Sequence, residues 1–75
     1  MEMDDEFYRQ LGQRITELRK KAGYASQEVF AHDVGISRGQ YYRYEIGANM
    51  ELSSLLKIMR FHKVNAKEFF NEGFE

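Results

Sequence analysis

Three residues, Gly35-Ile36-Ser37, are all that separate two short apolar patterns, and this brevity constrains the fold more than any other feature. Upstream, Val29, Phe30, Ala31 and Val34 fit one side of a short helix opened by Ser26, a residue type suited to the N-cap. Downstream, Ser37 with Gln40 three residues on has the capping-box pattern, so a second helix starts at Arg38 with Tyr41 and Tyr44 on one face. Gly35 ends the first helix by permitting a left-handed turn, and Gly47 ends the second. A connection this short that contains Gly holds two helices at a steep angle, about 90–120°.

The rest of the chain repeats the 3.6-residue period. Phe7, Leu11, Ile15, Leu18 and Ala22 form one stripe and predict a helix from about Asp5 to Ala22. Asp4 or Asp5 is placed to cap it, Glu6 sits near its positive end, and Arg19, Lys20 and Lys21 occupy the last turn before Gly23. Residues 48–51 read as a loop. A further helix is expected from about Leu52 to His62, with Leu52, Leu55, Ile58 or Met59, and His62 inward. Asn65 with Glu68 opens a short last helix that contains Phe69 and Phe70, stops at Gly73, and leaves Phe74 to fold back. No stretch alternates with period two. The expectation is an all-α chain of five helices, a single domain over residues 1–75 with no linker, repeat or low-complexity tract.

Charge is unevenly spread. The formal net charge is −1, yet the first six residues carry four acids and no base, and residues 68–75 carry three acids and no base. All 11 bases therefore lie in residues 7–67 with the remaining five acids, a net of +6. A basic body between acidic ends is compatible with a polyanionic partner. The absence of Cys excludes disulfides and thiolate metal sites, and makes the cytoplasm the expected address. The longest unbroken apolar run, Val29-Phe30-Ala31, is far too short for a membrane span, so no membrane partner is expected. His32 and His62 are thirty residues apart with no acid at ligand spacing, so no metal site is expected, and His62 reads as a partly buried core residue. No nucleophile–base–orienter grouping can be drawn, so no catalytic residue, enzymatic activity or cofactor is expected.

The stretch Ser26–Gly47, SQEVFAHDVGISRGQYYRYEIG, resembles the phage repressor/Cro-type (Xre-type) helix-turn-helix family. Ser26, Gln27, Phe30, Ala31, Val34, Gly35, Ile36, Ser37, Tyr41, Tyr44, Glu45 and Gly47 all fall in register with that family's pattern. The flanking ITELRKKAG and LSSLLKIM resemble its first and fourth helices. The resemblance implies a compact five-helix lambda-repressor-like domain and a sequence-specific, double-stranded DNA-binding transcriptional regulator. It implies a structural ion pair between Glu45 and Arg19, with Ile36 plugging the angle between the two motif helices and Ala31 at their close approach. Three departures are visible. One residue, Tyr24 or Ala25, is inserted before Ser26; Val29 replaces an acid; and the turn Ala48-Asn49-Met50-Glu51 contains no base.

By the same resemblance, Gln27 touches a phosphate at the start of the first motif helix. The outward face of the second presents Arg38, Gly39, Tyr42, Arg43 and Ile46 to the major groove. Arg38 is placed to read a guanine, Arg43 to read a base or hold a phosphate, and Tyr42 to meet a thymine methyl or a phosphate. Gly39 lets the backbone come close. Ser37 and Gln40 complete the candidate DNA-binding set, the Gln40 amide being in competition with its cap. Tyr41 and Tyr44 are expected in the core. A homodimer on a palindromic operator is expected, since one short helix buries little surface, with Phe69, Phe70 and Phe74 as candidates for the pairing patch. The alternative is an antitoxin or protein-interaction adaptor with a protein partner such as a toxin.

Overall fold

The computed structural model of the chain describes residues 2–74. Five helices follow in order: α1 Glu2–Lys21, α2 Gln27–Val34, α3 Arg38–Glu45, α4 Leu52–His62 and α5 Ala66–Phe69. No strand is present among the described residues. The core takes one fully buried large side chain from each helix: Ile15, Phe30, Tyr41, Ile58 and Phe69. Phe30 is its hub. Its ring centroid lies 5.1 Å from Tyr41 and Phe61, 5.2 Å from Tyr24 and 5.3 Å from His62. Aromatic pairs in this distance range attract beyond simple area burial.

Local signals act where the residue types place them. Ser26 and Ser37 accept from the backbone N–H of Val29 and Gln40, capping α2 and α3. The Ser37–Gln40 pattern forms only this half of a capping box, with no return bond from the Gln40 side chain. Asn65 and Glu68 form both halves at α5, at 2.8 and 2.9 Å. Gly35 ends α2 in the left-handed region, φ 83°.

Four expectations are corrected. The first helix starts at Glu2, so Asp4 and Asp5 lie inside its first turns and cap nothing; a helix lacking Gly and Pro up to residue 11 has no reason to wait for them. Phe7 and Ala22 at the two ends of the stripe are exposed, because a 20-residue helix overhangs so small a core. Leu52 is 70% exposed at the first turn of α4, and Met50 from the preceding loop takes the buried place instead. α5 ends at Phe69 rather than near Gly73, with Phe70 as its C-cap. Phe74 does fold back, 4.9 Å from the Phe70 ring. No helix among the described residues is long and apolar enough to cross a membrane.

Candidate nucleic-acid interface

The site begins with what holds α3 in place. Tyr41 and Tyr44 are buried as expected, and the Tyr44 hydroxyl lies 3.1 Å from the Ser54 hydroxyl of α4. At the α2–α3 corner, Ile36 is buried between the helices while the Gly35 and Ile36 N–H groups donate to the Ala31 carbonyl at 3.0 and 2.9 Å. Lys57 of α4 donates to the Gly35 carbonyl at 3.2 Å, which ties the corner to the next helix.

The far end of α3 is locked to α1. Arg19 donates through Nε to Glu45 Oε2 at 2.7 Å, and both side chains are about 95% buried, at 5% and 4% exposed. Arg19 also donates to the Tyr24 and Ala25 carbonyls at 2.7 and 3.1 Å. Burial pushes the Glu45 carboxyl up, but hydrogen bonds from Arg19 and Gln27 with the neighbouring Tyr41 hydroxyl outweigh it and hold the group below the usual carboxylate range. The Tyr41 hydroxyl sits against this network, fully buried and without a hydrogen bond of good geometry, and burial first of all raises its pKa. Gly12 permits the helices to approach: a Cβ there would fall on the carbonyl oxygens of Glu45 and, at 2.7 Å, of Tyr44.

With its inner face pinned, α3 turns the other side outward. Arg38, Gly39, Tyr42, Arg43 and Ile46 are all exposed, Tyr42 at 49% and Ile46 at 61%. Arg38, Gly39 and Tyr42 line an open groove whose opposite wall is Ser26, Gln27 and Glu28 from the start of α2. Arg38 lies 3.8 Å from Glu28 across its mouth, both side chains being 71% exposed. Such an exposed pair contributes little to stability and leaves the guanidinium available. Arg43 stands on the flank of the same face, outside the groove. Ser37 and Gln40 are engaged in the cap through the serine hydroxyl and the glutamine backbone. The Gln27 amide nitrogen donates to Glu45 Oε1 at 2.6 Å, so its side chain braces the buried ion pair, and the residue also lines the groove.

A family model described as a helix-turn-helix domain matches residues 10–68. The chain belongs to this family. A helix-turn-helix is a DNA-binding motif in which the second helix enters the major groove, and α3 occupies the place of that second helix. No curated protein and no solved structure matches the chain. The matched span runs from the middle of α1 into α5, so it contains the helix-turn-helix together with most of the helices that brace it.

Several functional placements have no signal in the linear pattern. Arg14 is 6% exposed; its Nε and Nη2 donate to the Phe69 and Glu68 carbonyls at 2.7 and 3.0 Å, and its guanidinium lies 5.5 Å from the Phe69 ring centre. It therefore closes the C-terminal end of α5, where a cation is favoured. Tyr24, one of the two positions at which a residue is inserted before Ser26, covers Phe30 and Phe61 with its ring and donates its hydroxyl to Asp33 at 2.6 Å. Phe69 is fully buried and is excluded from any pairing patch. Phe70, 37% exposed, instead stacks on the 43% exposed Phe7 with ring centres 6.2 Å apart.

Proposed function

We propose that the chain is a sequence-specific regulator of transcription of the phage repressor/Cro (Xre) type, acting in the cytoplasm as a homodimer on a palindromic operator. The observation that carries this reading is the division of α3 into a pinned face, Tyr41 and Tyr44, and an outward face of Arg38, Gly39, Tyr42 and Arg43. A helix held by a buried ion pair at one end and a tight corner at the other presents its outer side chains in a fixed pose, as base reading requires. Arg38, at the first helical position, reads a guanine through O6 and N7. Tyr42 and Arg43 meet a thymine methyl and a phosphate or base, and Gly39 admits the DNA edge. The N-terminus of α2, with Gln27 beside it, holds a phosphate. Pairing of two copies uses the exposed aromatic stack of Phe7 and Phe70.

Selection of bound sequences from random double-stranded DNA tests the whole reading. The expected product is an enriched palindrome with half-sites about one helical turn apart. No enrichment, with affinity independent of salt, refutes it, because every DNA complex releases counterions in proportion to the phosphates it contacts.

The antitoxin or adaptor reading draws on the same exposed Phe7–Phe70 stack, in a sequence whose first six and last eight residues carry seven of the 12 acids. A toxin-like partner bound there, with no DNA enrichment by the full chain, is the result that favours it.

A further inference from the structure

The two ends of α3 differ in what they offer a polyanion. Its start opens on a groove shared with the start of α2, and helix N-termini draw phosphate through free N–H groups. Its other end carries partial negative charge, because a helix C-terminus presents carbonyl oxygens. The chain that leaves this end, residues 46–51, contains no Lys or Arg and finishes on Glu51. A helix about 12 Å long, laid in a groove about 12 Å wide, has a phosphate strand near each end. A phosphate at the C-terminal border therefore needs a cation from another element.

α1 carries one to that place. It crosses the last turn of α3, where Gly12 lies against the Tyr44 and Glu45 carbonyls. One turn nearer the chain start, the Arg9 stem lies against Gly47: a Cβ there would stand 3.1 Å from Arg9 Cγ and 3.4 Å from Arg9 Cα. Gly47 follows Ile46, the exposed last residue of the outward face. The Arg9 guanidinium donates to Glu6 at 2.6 Å, the two side chains being 57% and 61% exposed. A pair as wet as this contributes little to stability. A phosphate presents paired oxygens to a guanidinium as a carboxylate does, so the exchange of one for the other keeps the hydrogen bonds. We infer that Arg9 holds a DNA phosphate at the C-terminal border of α3, and that DNA takes it from Glu6. The inference rests on the DNA-binding reading above and adds a contact from a helix outside the motif.

The test uses the full chain and the site enriched from random DNA, with its phosphates replaced one at a time by neutral methylphosphonate. Wild type is expected to lose affinity at one phosphate to which Arg9→Gln is indifferent. On the intact site Arg9→Gln should bind about fivefold more weakly at 0.15 M salt, the counterion release of one phosphate at a slope near 0.9. Its log–log salt slope should fall by about that amount, and its enriched sequence should not change, since a phosphate contact reads no base. Arg9→Lys should keep the wild-type slope, as should Lys67→Gln, which removes an exposed cation of α5. Glu6→Gln leaves Arg9 in place and should bind more tightly than wild type, by less when Arg9→Gln is also present. An Arg9→Gln slope equal to wild type, or one matched by Lys67→Gln, overturns the inference while leaving DNA binding intact. So does the lack of any phosphate that separates wild type from Arg9→Gln, or a changed base preference in that variant. A Glu6→Gln chain that binds no more tightly than wild type also overturns it, and this readout does not depend on how Arg9→Gln folds. Loss of all DNA binding by wild type overturns the underlying reading, and this inference with it.

Discussion

Replacing Glu45 by alanine should remove a large part of the folding free energy of this domain, although the residue touches no ligand in the proposed mode. The substitution leaves the Arg19 guanidinium, 5% exposed in its side chain, with the Tyr24 and Ala25 carbonyls and no counter-charge. It also strips the Gln27 amide of its 2.6 Å acceptor. Breaking a buried pair from one side costs about 3–5 kcal/mol, mostly as an uncompensated charge in low dielectric. A domain of this length at roughly 0.05–0.15 kcal/mol per residue holds about 4–11 kcal/mol in all, so the loss runs from about a quarter to all of it. Equilibrium urea denaturation measures it as a fall in the midpoint at unchanged slope. Arg19→Met combined with Glu45→Leu should cost clearly less than the sum of the two single changes, since it leaves no lone charge. The Glu45 carboxyl is held below its ordinary range, so the contribution is complete above about pH 4.5 and is lost as the pH falls through the depressed folded-state value. A Glu45→Ala domain within 1 kcal/mol of wild type, with the same urea slope, refutes the argument.

Gly12→Ala should destabilise by about 1–3 kcal/mol in the same urea experiment, because the new methyl meets backbone carbonyls of α3 that cannot rotate away; a stabilised variant refutes the close approach. His62 is held neutral first by burial and then by the nearby Arg14 charge, with its buried Nε2 lacking a partner and its ring stacked on Phe30. Its folded-state pKa is depressed, so the unfolded chain binds the extra proton: stability is complete above the unfolded value near 6.5 and declines below it, by at most about 1.4 kcal/mol per pH unit. His62→Phe should flatten that slope between pH 6.5 and 5 in melting curves. For DNA, Arg38→Gln should relax the preference for guanine at one position at a cost of roughly 1–3 kcal/mol, and Arg43→Gln should lower the salt slope by about one; the opposite pattern exchanges their roles.

The linear pattern reaches far into this fold because short-range chemistry fixes the helix ends. Ser26, Ser37 and Asn65 each cap the helix that follows, and these decisions involve only neighbours along the chain. The buried tyrosines followed equally well, since Tyr41 and Tyr44 three residues apart must share a side. What escaped depends on where distant elements meet. Arg14 looks like a solvent cation until α5 brings the Phe69 carbonyl to it, 55 residues away in sequence. Gly12 looks like a flaw in a helix until the carbonyls of α3 are laid against it. The bond from Gln27 to Glu45, 18 residues on, shows only when α3 is laid beside the start of α2. Leu52 and Met50 exchanged roles because the period of α4 says which residues share a face but not where the loop before it passes.

The net charge of −1 is a sum that the fold divides between buried and exposed groups. Two of the 11 bases, Arg14 and Arg19, are spent inside the protein, on the end of α5 and on Glu45, and contribute little outward field. Gly47, just past α3, packs on Arg9, so the exposed Arg9–Glu6 pair of α1, at 2.6 Å, stands beside the turn that follows α3. At the opposite end of α3, Arg38 has an acid of its own, Glu28 of α2, 3.8 Å away, both side chains being 71% exposed. A polyanion approaching the outward face of α3 meets Arg38 and Arg43 as exposed cations, and a pair as exposed as Arg38–Glu28 is weak enough to be exchanged for a phosphate or base contact.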